Sequence, residues 1–261
     1  MRAYCLASSS SGNCYVLEFS IKGVPTYLMV ECGIPMSQIY SKLNNYELDF
    51  TKICGCLITH AHGDHSKAAR DISKRGIPLF ATPGTFGAIY CHGTELLNKP
   101  VKITEGLYVL QFPVEHDIEG ACGFVIKTAK ETVIFINDHK KWSTDLSIFK
   151  PDYVFIECNY DHKMVYAQMH ELERKINTPG FSDKEKLLFQ QALNQHTRNL
   201  NSHCSLLGTI KGLSKMNLKN TKCIFLMHLS DRHANEYKMK NEVEFATKIR
   251  TYVCKKGGGI K

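Results

Sequence analysis

A buried-strand pattern runs directly into a dense cluster of polar side chains at Ile53-Cys54-Gly55-Cys56-Leu57-Ile58-Thr59-His60-Ala61-His62-Gly63-Asp64-His65. His60 and His62 are two residues apart on extended backbone, so both imidazoles project to the same side and can reach one metal ion. Gly63 permits a sharp turn, which directs the Asp-His pair after it toward a second ion about 3.5–4 Å away. A solvated polar loop is the alternative, but it does not explain three histidines and one aspartate in six positions.

The composition is that of an ordinary folded chain. The 261 residues are 43% hydrophobic and 22% charged, which excludes a disordered or fibrous protein. No apolar stretch is long enough to span a membrane, and Ser8–Gly12 interrupts any secretory signal pattern. The 11 cysteines form no C-x-x-C pair and lie mostly in apolar runs, which favours reduced, buried thiols and a cytoplasmic location.

Short apolar runs predict strands through the first two-thirds of the chain, and helical patterns lie between some of them. The predicted strands are Cys14–Phe19, Thr26–Glu31, Ile53–Thr59, Leu107–Phe112, Gly123–Thr128, Thr132–Asn137, Tyr153–Glu157 and Cys223–Met227. The predicted helices are Pro35–Asn44, Ser66–Arg75, Pro83–Cys91, Met164–Asn199 with a break at Thr178-Pro179-Gly180, Cys204–Met216 and Ala234–Val253. This order indicates one layered α/β domain over residues 1–261, with a helix-rich segment at about 162–202.

The pattern His-x-His-x-Asp-His after a strand resembles the signature of the metallo-β-lactamase fold. The resemblance implies a four-layer αββα sandwich with two divalent metal ions, zinc or manganese, at one edge of its sheets. It implies the following ligands: His60, His62 and His116 for one ion, Asp64, His65 and His228 for the other, and Asp138 as the bridge between them. Asp117 is the second choice for the bridging acid.

Four further segments, in order along the chain, resemble the exonuclease-like YycJ/WalJ-type branch of that superfamily and, more distantly, tRNase Z. They are Leu6–Cys14, Glu157–Asp161, Ser202–Ser205 and Met227–Ser230. The branch implies that His203 is not a ligand but protonates the leaving oxygen, with Glu157 and Asp161 as the residues that orient it. Alternatively, His203 is the first residue of a helix capped by Ser202.

The early segment Leu6–Cys14 is rich in small polar residues. Ser9, Ser10 and Asn13 lie in a loop whose N–H and hydroxyl groups can cradle a phosphate. A plain turn between two strands explains the same residues.

The charge balance favours an anionic partner. There are 33 Lys and Arg against 25 Asp and Glu, a formal net charge of +8. Lys211, Lys215 and Lys219 are spaced by four, so one helical face carries all three if the helix persists that far, and Lys211 and Lys215 are candidate substrate contacts. A solvated lysine face is the alternative.

Taken together, these features predict a dinuclear metal-dependent hydrolase of phosphodiesters that uses a hydroxide shared by the two ions. DNA is expected ahead of RNA as the substrate, with exonuclease or related nuclease activity. A cyclic-nucleotide phosphodiesterase is the first alternative, followed by a lactonase or thioesterase and by a metal-binding protein without catalysis. The sequence contains no heptad pattern, so it predicts no oligomeric state.

Overall fold

The computed structural model describes residues 1–260. Its strands are β1 (Arg2–Ser9), β2 (Gly12–Ile21), β3 (Val24–Cys32), β4 (Ile53–Leu57), β5 (Leu79–Ala81), β6 (Thr94–Glu95), β7 (Val101–Thr104), β8 (Leu107–Glu115), β9 (Cys122–Lys127), β10 (Thr132–Ile136), β11 (Lys141–Trp142), β12 (Tyr153–Glu157), β13 (Cys223–Met227) and β14 (Thr251–Val253). Its α-helices are α1 (Met36–Asn45), α2 (Gly63–Ser66), α3 (Ala69–Lys74), α4 (Pro83–Ile89), α5 (His162–Asn177), α6 (Asp183–Ser202), α7 (Leu206–Leu213) and α8 (Glu236–Thr247).

The strands form two sheets. The first has the order β1-β2-β3-β4-β5-β6, antiparallel where short turns join β1 to β3 and parallel from β3 onward. The second has the order β11-β8-β9-β10-β12-β13-β14, with β7 paired to β8. In this sheet β10, β12, β13 and β14 run parallel, so their carboxyl ends meet at one edge.

Three apolar clusters define the layers. The middle cluster joins the facing sides of the two sheets through aromatic residues such as Tyr15, Phe19 and Phe135. An outer cluster packs α1 and α3 on the first sheet, and another packs α7 and α8 on the second. The architecture is therefore a four-layer αββα sandwich, which confirms the predicted fold class.

All eight predicted strands are present, because each is an apolar run that the sandwich buries. The predicted helix Ala234–Val253 is wrong at its end. Helix α8 stops at Thr247, and Lys248 follows it with a positive φ of 60°. Thr251–Val253 then adds a parallel edge strand beside Ile224–Leu226, consistent with the preference of β-branched residues for strands.

The segment between β12 and β13 contains the two longest helices. Asp161 caps the start of α5, and Ser182 forms a capping box with Glu185 at the start of α6. Thr178-Pro179-Gly180 separates them, where proline and glycine disfavour continued helix. Among residues 1–260 no helix is long and apolar enough to cross a membrane.

Candidate active site

The first ligand cluster forms where β4 and β8 end. β4 stops at Leu57, and the extended residues after it place His60 Nε2 3.1 Å from His62 Nδ1. His116, which follows β8, places its Nε2 3.3 Å from the same His62 nitrogen. Three nitrogens about 2.0–2.1 Å from a tetrahedral zinc would be about 3.3–3.4 Å apart. The three imidazoles therefore converge with the spacing of a metal site.

The second cluster contains Asp64, His65, Asp138 and His228. Asp64 Oδ2 lies 3.3 Å from His65 Nε2 and 3.4 Å from His228 Nε2. Helix α2 begins at Gly63, so the turn expected there is present and brings Asp64 and His65 to Asp138 and His228. His228 follows β13 with a φ of 54°, a backbone conformation that non-glycine residues rarely adopt and that often marks functional positions.

Asp138, two residues after the end of β10, belongs to the second cluster and lies next to the first. Its Oδ2 is 3.3 Å from His65 Nε2, 3.9 Å from His116 Nε2 and 4.0 Å from His60 Nε2. Its Oδ1 is buried without a hydrogen-bond partner among the described residues, and its φ is 29°. A carboxylate in this strained position, with one oxygen 3.3 Å from His65 and the other 3.5 Å from His228 without a hydrogen bond, fits a ligand that bridges two cations. Asp117, the second choice, is in neither of these clusters.

A layer of contacts behind the clusters orients the imidazoles. The buried Glu31 lies 3.2 Å from His65 Nδ1 and accepts hydrogen bonds from the N–H and hydroxyl of Thr59. The Thr59 hydroxyl is 2.9 Å from His60 Nδ1, and His116 Nδ1 donates to the carbonyl of Ser202 at 2.9 Å. Carboxylates and carbonyls on the far nitrogen fix which nitrogen faces a metal.

The contact of Glu31 with His65 was not predicted from the sequence, although the residues around Glu31 contain a signal for a functional role. It is an acidic residue inside the apolar run Leu28-Met29-Val30-Glu31-Cys32, and acidic side chains are almost never fully buried without a partner. Its φ of 63° is a second sign of functional constraint.

The electrostatics of the clusters favour cations. Burial opposes ionisation of Asp138, yet the charges of His228 and His65 hold its pKa well below the ordinary range. Burial likewise opposes protonation of His65, yet Asp138 and Glu31 hold its pKa well above the ordinary range. Burial and the neighbouring His65 lower the pKa of His60, which keeps that imidazole neutral, the form that binds metal.

His203 lies beside both clusters and forms a further group of possible ligands with Asp138, Glu157 and His228. Its Nδ1 is 2.6 Å from Glu157 Oε1 and 3.8 Å from Asp138 Oδ2, and its ring stacks on His228 at 5.2 Å. Burial lowers the pKa of His203, but Glu157 and Asp138 together raise it to about 9. His203 follows the last residue of α6, and Ser205 caps the next helix, so the alternative of a Ser202 cap is wrong.

Of the two acids expected to orient His203, the structure brings only Glu157 to it. Asp161 instead accepts from the backbone N–H of Lys163 at the start of α5 and forms an ion pair with Lys238. Its carboxylate has no hydrogen bond with His203. Glu157 also accepts from the N–H groups of His139 and Cys204, which holds it in place.

The small-residue loop between β1 and β2 supports the ligands more than it faces the cavity. Ser9 and Asn13 are buried, and the Asn13 amide donates to the carbonyl of Asp64 at 3.3 Å. The hydroxyl of Ser8 accepts from the N–H of His228 at 2.9 Å. Ser10 alone of the three predicted phosphate contacts lines the cavity over the clusters.

That cavity has a volume of about 400 Å³ and is lined by ligands from both clusters together with His203. Its far wall is one face of α6, formed by Gln195, Arg198 and Asn199, which sequence reasoning missed. Their i, i+3, i+4 spacing is the only sequence signal for a shared face. Arg198 is held there by Asp117, whose Oδ2 accepts from Nε at 2.9 Å and Nη2 at 2.8 Å.

Lys211 and Lys215 do not line this cavity. Helix α7 ends at Leu213, so the helical face proposed for the lysines does not persist to Lys215 and Lys219. Lys211 and Lys215 still share a neighbouring pocket, to which Lys219 does not contribute. All 11 cysteines are free, and most are buried, as the sequence predicts.

A scan against protein-family models found no match, and a search of curated proteins found none. Solved structures do resemble the chain. The short form of human tRNase Z aligns with a TM-score of 0.59 and 16% identity over 89% of this chain and 94% of that one. Zn²⁺-bound PqqB from Methylobacterium extorquens aligns with a TM-score of 0.64 and 15% identity over 100% and 99% of the two chains.

A third structure, assigned as a metal-dependent hydrolase from Parabacteroides distasonis, aligns with a TM-score of 0.53 and 12% identity over 95% and 97% of the two chains. At these identities the likeness establishes the architecture, while the YycJ/WalJ-type branch stays a prediction. The αββα sandwich aligns with these structures over most or all of the chain, and two His/Asp clusters converge at one edge of it. The protein therefore has the metallo-β-lactamase fold.

Proposed function

We propose that the protein is a metal-dependent phosphodiesterase that acts on nucleic acid. One divalent ion is held by His60, His62 and His116, and a second by Asp64, His65 and His228, with Asp138 between them. Zinc and manganese both suit this imidazole and carboxylate set, and zinc is the ion named for PqqB. Two ions held there would lower the pKa of a water molecule and neutralise charge on a phosphoryl group.

The observation that carries the proposal is the His203–Glu157 pair at the cavity. A phosphodiester needs a proton for its departing alkoxide, and metal ligands cannot supply one. His203 is not needed to complete either predicted ligand set, is 16% exposed at the side chain, and holds its Nδ1 proton against Glu157 at 2.6 Å. Its Nε2 is thus the nitrogen free to exchange a proton with a leaving oxygen.

Other residues of the cavity bind the substrate and orient His203. Arg198, fixed by Asp117, places a permanent positive charge on the cavity wall, where it can bind a phosphate oxygen. Glu157 keeps His203 oriented, and Gln195 and Asn199 add neutral donors and acceptors on the same wall. Two bound cations together with Arg198 would favour a phosphodiester over a lactone or thioester, which carries no comparable charge.

DNA is our first expected substrate, and we expect the reaction to be exonucleolytic. The net charge of +8 supports a polyanionic partner, and one structural neighbour is a tRNase, which keeps RNA open as the other polymer. We also propose that α5 and α6 belong to one domain with the sandwich, because α6 forms a wall of the cavity, and that the protein is cytoplasmic.

A cyclic-nucleotide phosphodiesterase is the second candidate, since a cavity of about 400 Å³ lies within the size range of small-molecule sites. The salt dependence of substrate binding distinguishes the nuclease from the cyclic-nucleotide phosphodiesterase. Binding of a polymer that contacts several phosphates weakens steeply as salt rises, whereas binding of a compact nucleotide weakens little. A flat salt dependence would exclude the polymer.

The test is a hydrolysis screen of zinc- and manganese-loaded protein against double- and single-stranded DNA, RNA, a cyclic nucleotide and a lactone. We expect cleavage of at least one nucleic acid, with the lactone intact. Turnover of the lactone alone would refute the proposal. Metal uptake without any turnover would point to a metal-binding protein that is not an enzyme.

Arg198→Ala is expected to raise KM for the nucleic acid about tenfold, because the variant cannot form a charge-assisted hydrogen bond to phosphate. Steady-state kinetics at constant salt measures this. Lys184→Ala, an exposed cation in the first turn of the same helix, is the matched control and should leave KM unchanged. An equal effect of both variants would mean that only the overall charge matters.

A further inference from the structure

A second, basic pocket lies next to the active-site cavity. It has a volume of about 230 Å³, and four lysines line it: Lys140, Lys141, Lys211 and Lys215. We call it the lysine pocket. Its position follows from chain continuity, because Asp138 and His203 line the active-site cavity while the residues directly after them, His139 and Cys204, line the lysine pocket. The two spaces are therefore separated by the thickness of these two chain segments.

The pocket is built by β11 against α7. Strand β11 pairs Trp142 with Val114 of β8, which holds the indole beside the helix. A Cβ at Gly212 would lie 2.4 Å from the Trp142 ring, so only glycine permits this approach. The half-buried indole then forms an apolar wall between the lysines.

The positive charge of the pocket is only partly compensated. Lys141 forms an ion pair with Glu115 at 3.0 Å, and Lys140 donates to the carbonyl of Leu200. Within residues 1–260, Lys211 and Lys215 have no ion-pair partner. Two lysines of one pocket that lack counter-charges repel each other, so an anion bound between them is stabilising.

The floor of the lysine pocket contains a buried histidine. His139 Nδ1 lies 3.5 Å from Glu157 Oε2, whereas its Nε2 has no hydrogen-bond partner in the described part of the chain. Buried polar groups are nearly always paired, and those that are not commonly mark ligand or water sites. Lysine ammonium groups, an aromatic wall and an imidazole with one unpaired nitrogen together match the chemistry of a nucleotide phosphate site more closely than that of a plain solvated surface.

We propose that the lysine pocket binds a phosphate of the same nucleic-acid strand whose scissile diester occupies the active-site cavity. This inference rests on the proposed function and extends it, since it assigns a second phosphate subsite to a polymeric substrate. The sugar or base of that nucleotide packs on Trp142. The subsite explains how an enzyme with one cleavage site can prefer a polymer to a single nucleotide, because the second binding place adds affinity only when the strand spans both.

The experiment compares Lys211→Gln/Lys215→Gln with the wild-type chain. Binding of a fluorescent single-stranded oligonucleotide to EDTA-treated protein is measured by anisotropy over a range of salt. We expect the double variant to bind about tenfold more weakly. The negative slope of the logarithm of the binding constant against the logarithm of the salt concentration should become shallower by about 0.7 for each phosphate that the variant no longer neutralises. The ratio of kcat/KM for the oligonucleotide to kcat/KM for bis(p-nitrophenyl) phosphate should fall about tenfold.

Lys22→Gln/Lys219→Gln is the matched control, because it removes the same charge from exposed positions outside the pocket. It should leave both measurements near the wild-type values, and circular dichroism checks that both variants fold. Equal weakening of binding in the two variants would overturn the subsite.

Failure of the subsite and failure of the proposed function give different results. Wild-type protein that hydrolyses diesters, with unchanged oligonucleotide binding in the lysine-pocket variant, refutes the subsite alone. Wild-type protein that hydrolyses no diester, with weakened binding in that variant, supports the subsite and refutes the function. Absence of oligonucleotide binding to the metal-free wild type refutes the subsite, and hydrolysis by the metal-loaded protein still decides the proposed function.

Discussion

Asp64→Ala is expected to lower phosphodiester hydrolysis by at least about 10³-fold, equivalent to about 4 kcal/mol of transition-state stabilisation. Asp64 Oδ2 lies within 3.4 Å of both His65 Nε2 and His228 Nε2, so its loss removes an anionic ligand from the second cluster only. We expect the metal content of the purified protein to fall from two ions per chain to about one. Kinetics and elemental analysis of the same sample measure the two effects.

Asp71→Ala is the control for this variant, because Asp71 is an exposed aspartate on the nearby helix α3, where it pairs with Arg75. Surface ion pairs of this kind contribute about 0–1 kcal/mol, so little change is expected. Full activity of Asp64→Ala would rule out the dinuclear site. Loss of activity with both ions retained would instead assign Asp64 a role in the chemistry that is separate from metal binding.

His203→Ala is expected to lower kcat about 10²–10⁴-fold, the usual contribution of a general acid, while metal content stays at the wild-type level. The imidazole touches Glu157 at 2.6 Å and completes neither proposed ligand set. His170→Ala is the control, since His170 is an exposed histidine on α5. A parallel loss of metal would show that His203 is a ligand and would leave the leaving group without its proposed proton donor.

The pH profile gives an independent test of the same residue. A general acid acts only while protonated, and Glu157 and Asp138 overcome the effect of burial to raise the pKa of His203 to about 9. Activity should therefore be retained at neutral pH and fall as pH rises through this pKa. Cations bound at Asp138 would oppose protonation of His203, so in the metal-loaded protein the fall is expected at a pH below about 9. It should be absent in His203→Ala.

The strands and the first ligand cluster were predictable because their determinants are local. A short apolar run that is buried on both faces favours a strand. His60 and His62 reach the same metal position because side chains two residues apart on extended backbone point to the same side. The end of the last helix was not predictable in this way. Thr251–Val253 is short, and only the exposed edge of β13 makes it a strand.

Only the folded structure could decide which of the two acids, Glu157 or Asp161, orients His203. Glu157 and Asp161 are close in sequence, and both can orient a histidine on chemical grounds. Glu157 ends β12 inside the sandwich and faces His203, whereas Asp161 lies beyond the strand and caps α5. The choice depends on where β12 ends relative to the sheet edge, which tertiary packing decides.

The amino-acid sequence alone predicted a layered α/β domain, the location of the candidate site after β4 and the polar character of its residues, because these follow from hydrophobic periodicity and from groups a few positions apart. The αββα arrangement was implied by the resemblance of His60–His65 to the metallo-β-lactamase signature. Tertiary structure alone decided that Glu31 supports His65, that Asp117 fixes Arg198 and that the lysine pocket adjoins the cavity. Asp117 and Arg198 are 81 positions apart. Such contacts depend on how the two sheets and α6 pack together, and no local pattern encodes that packing.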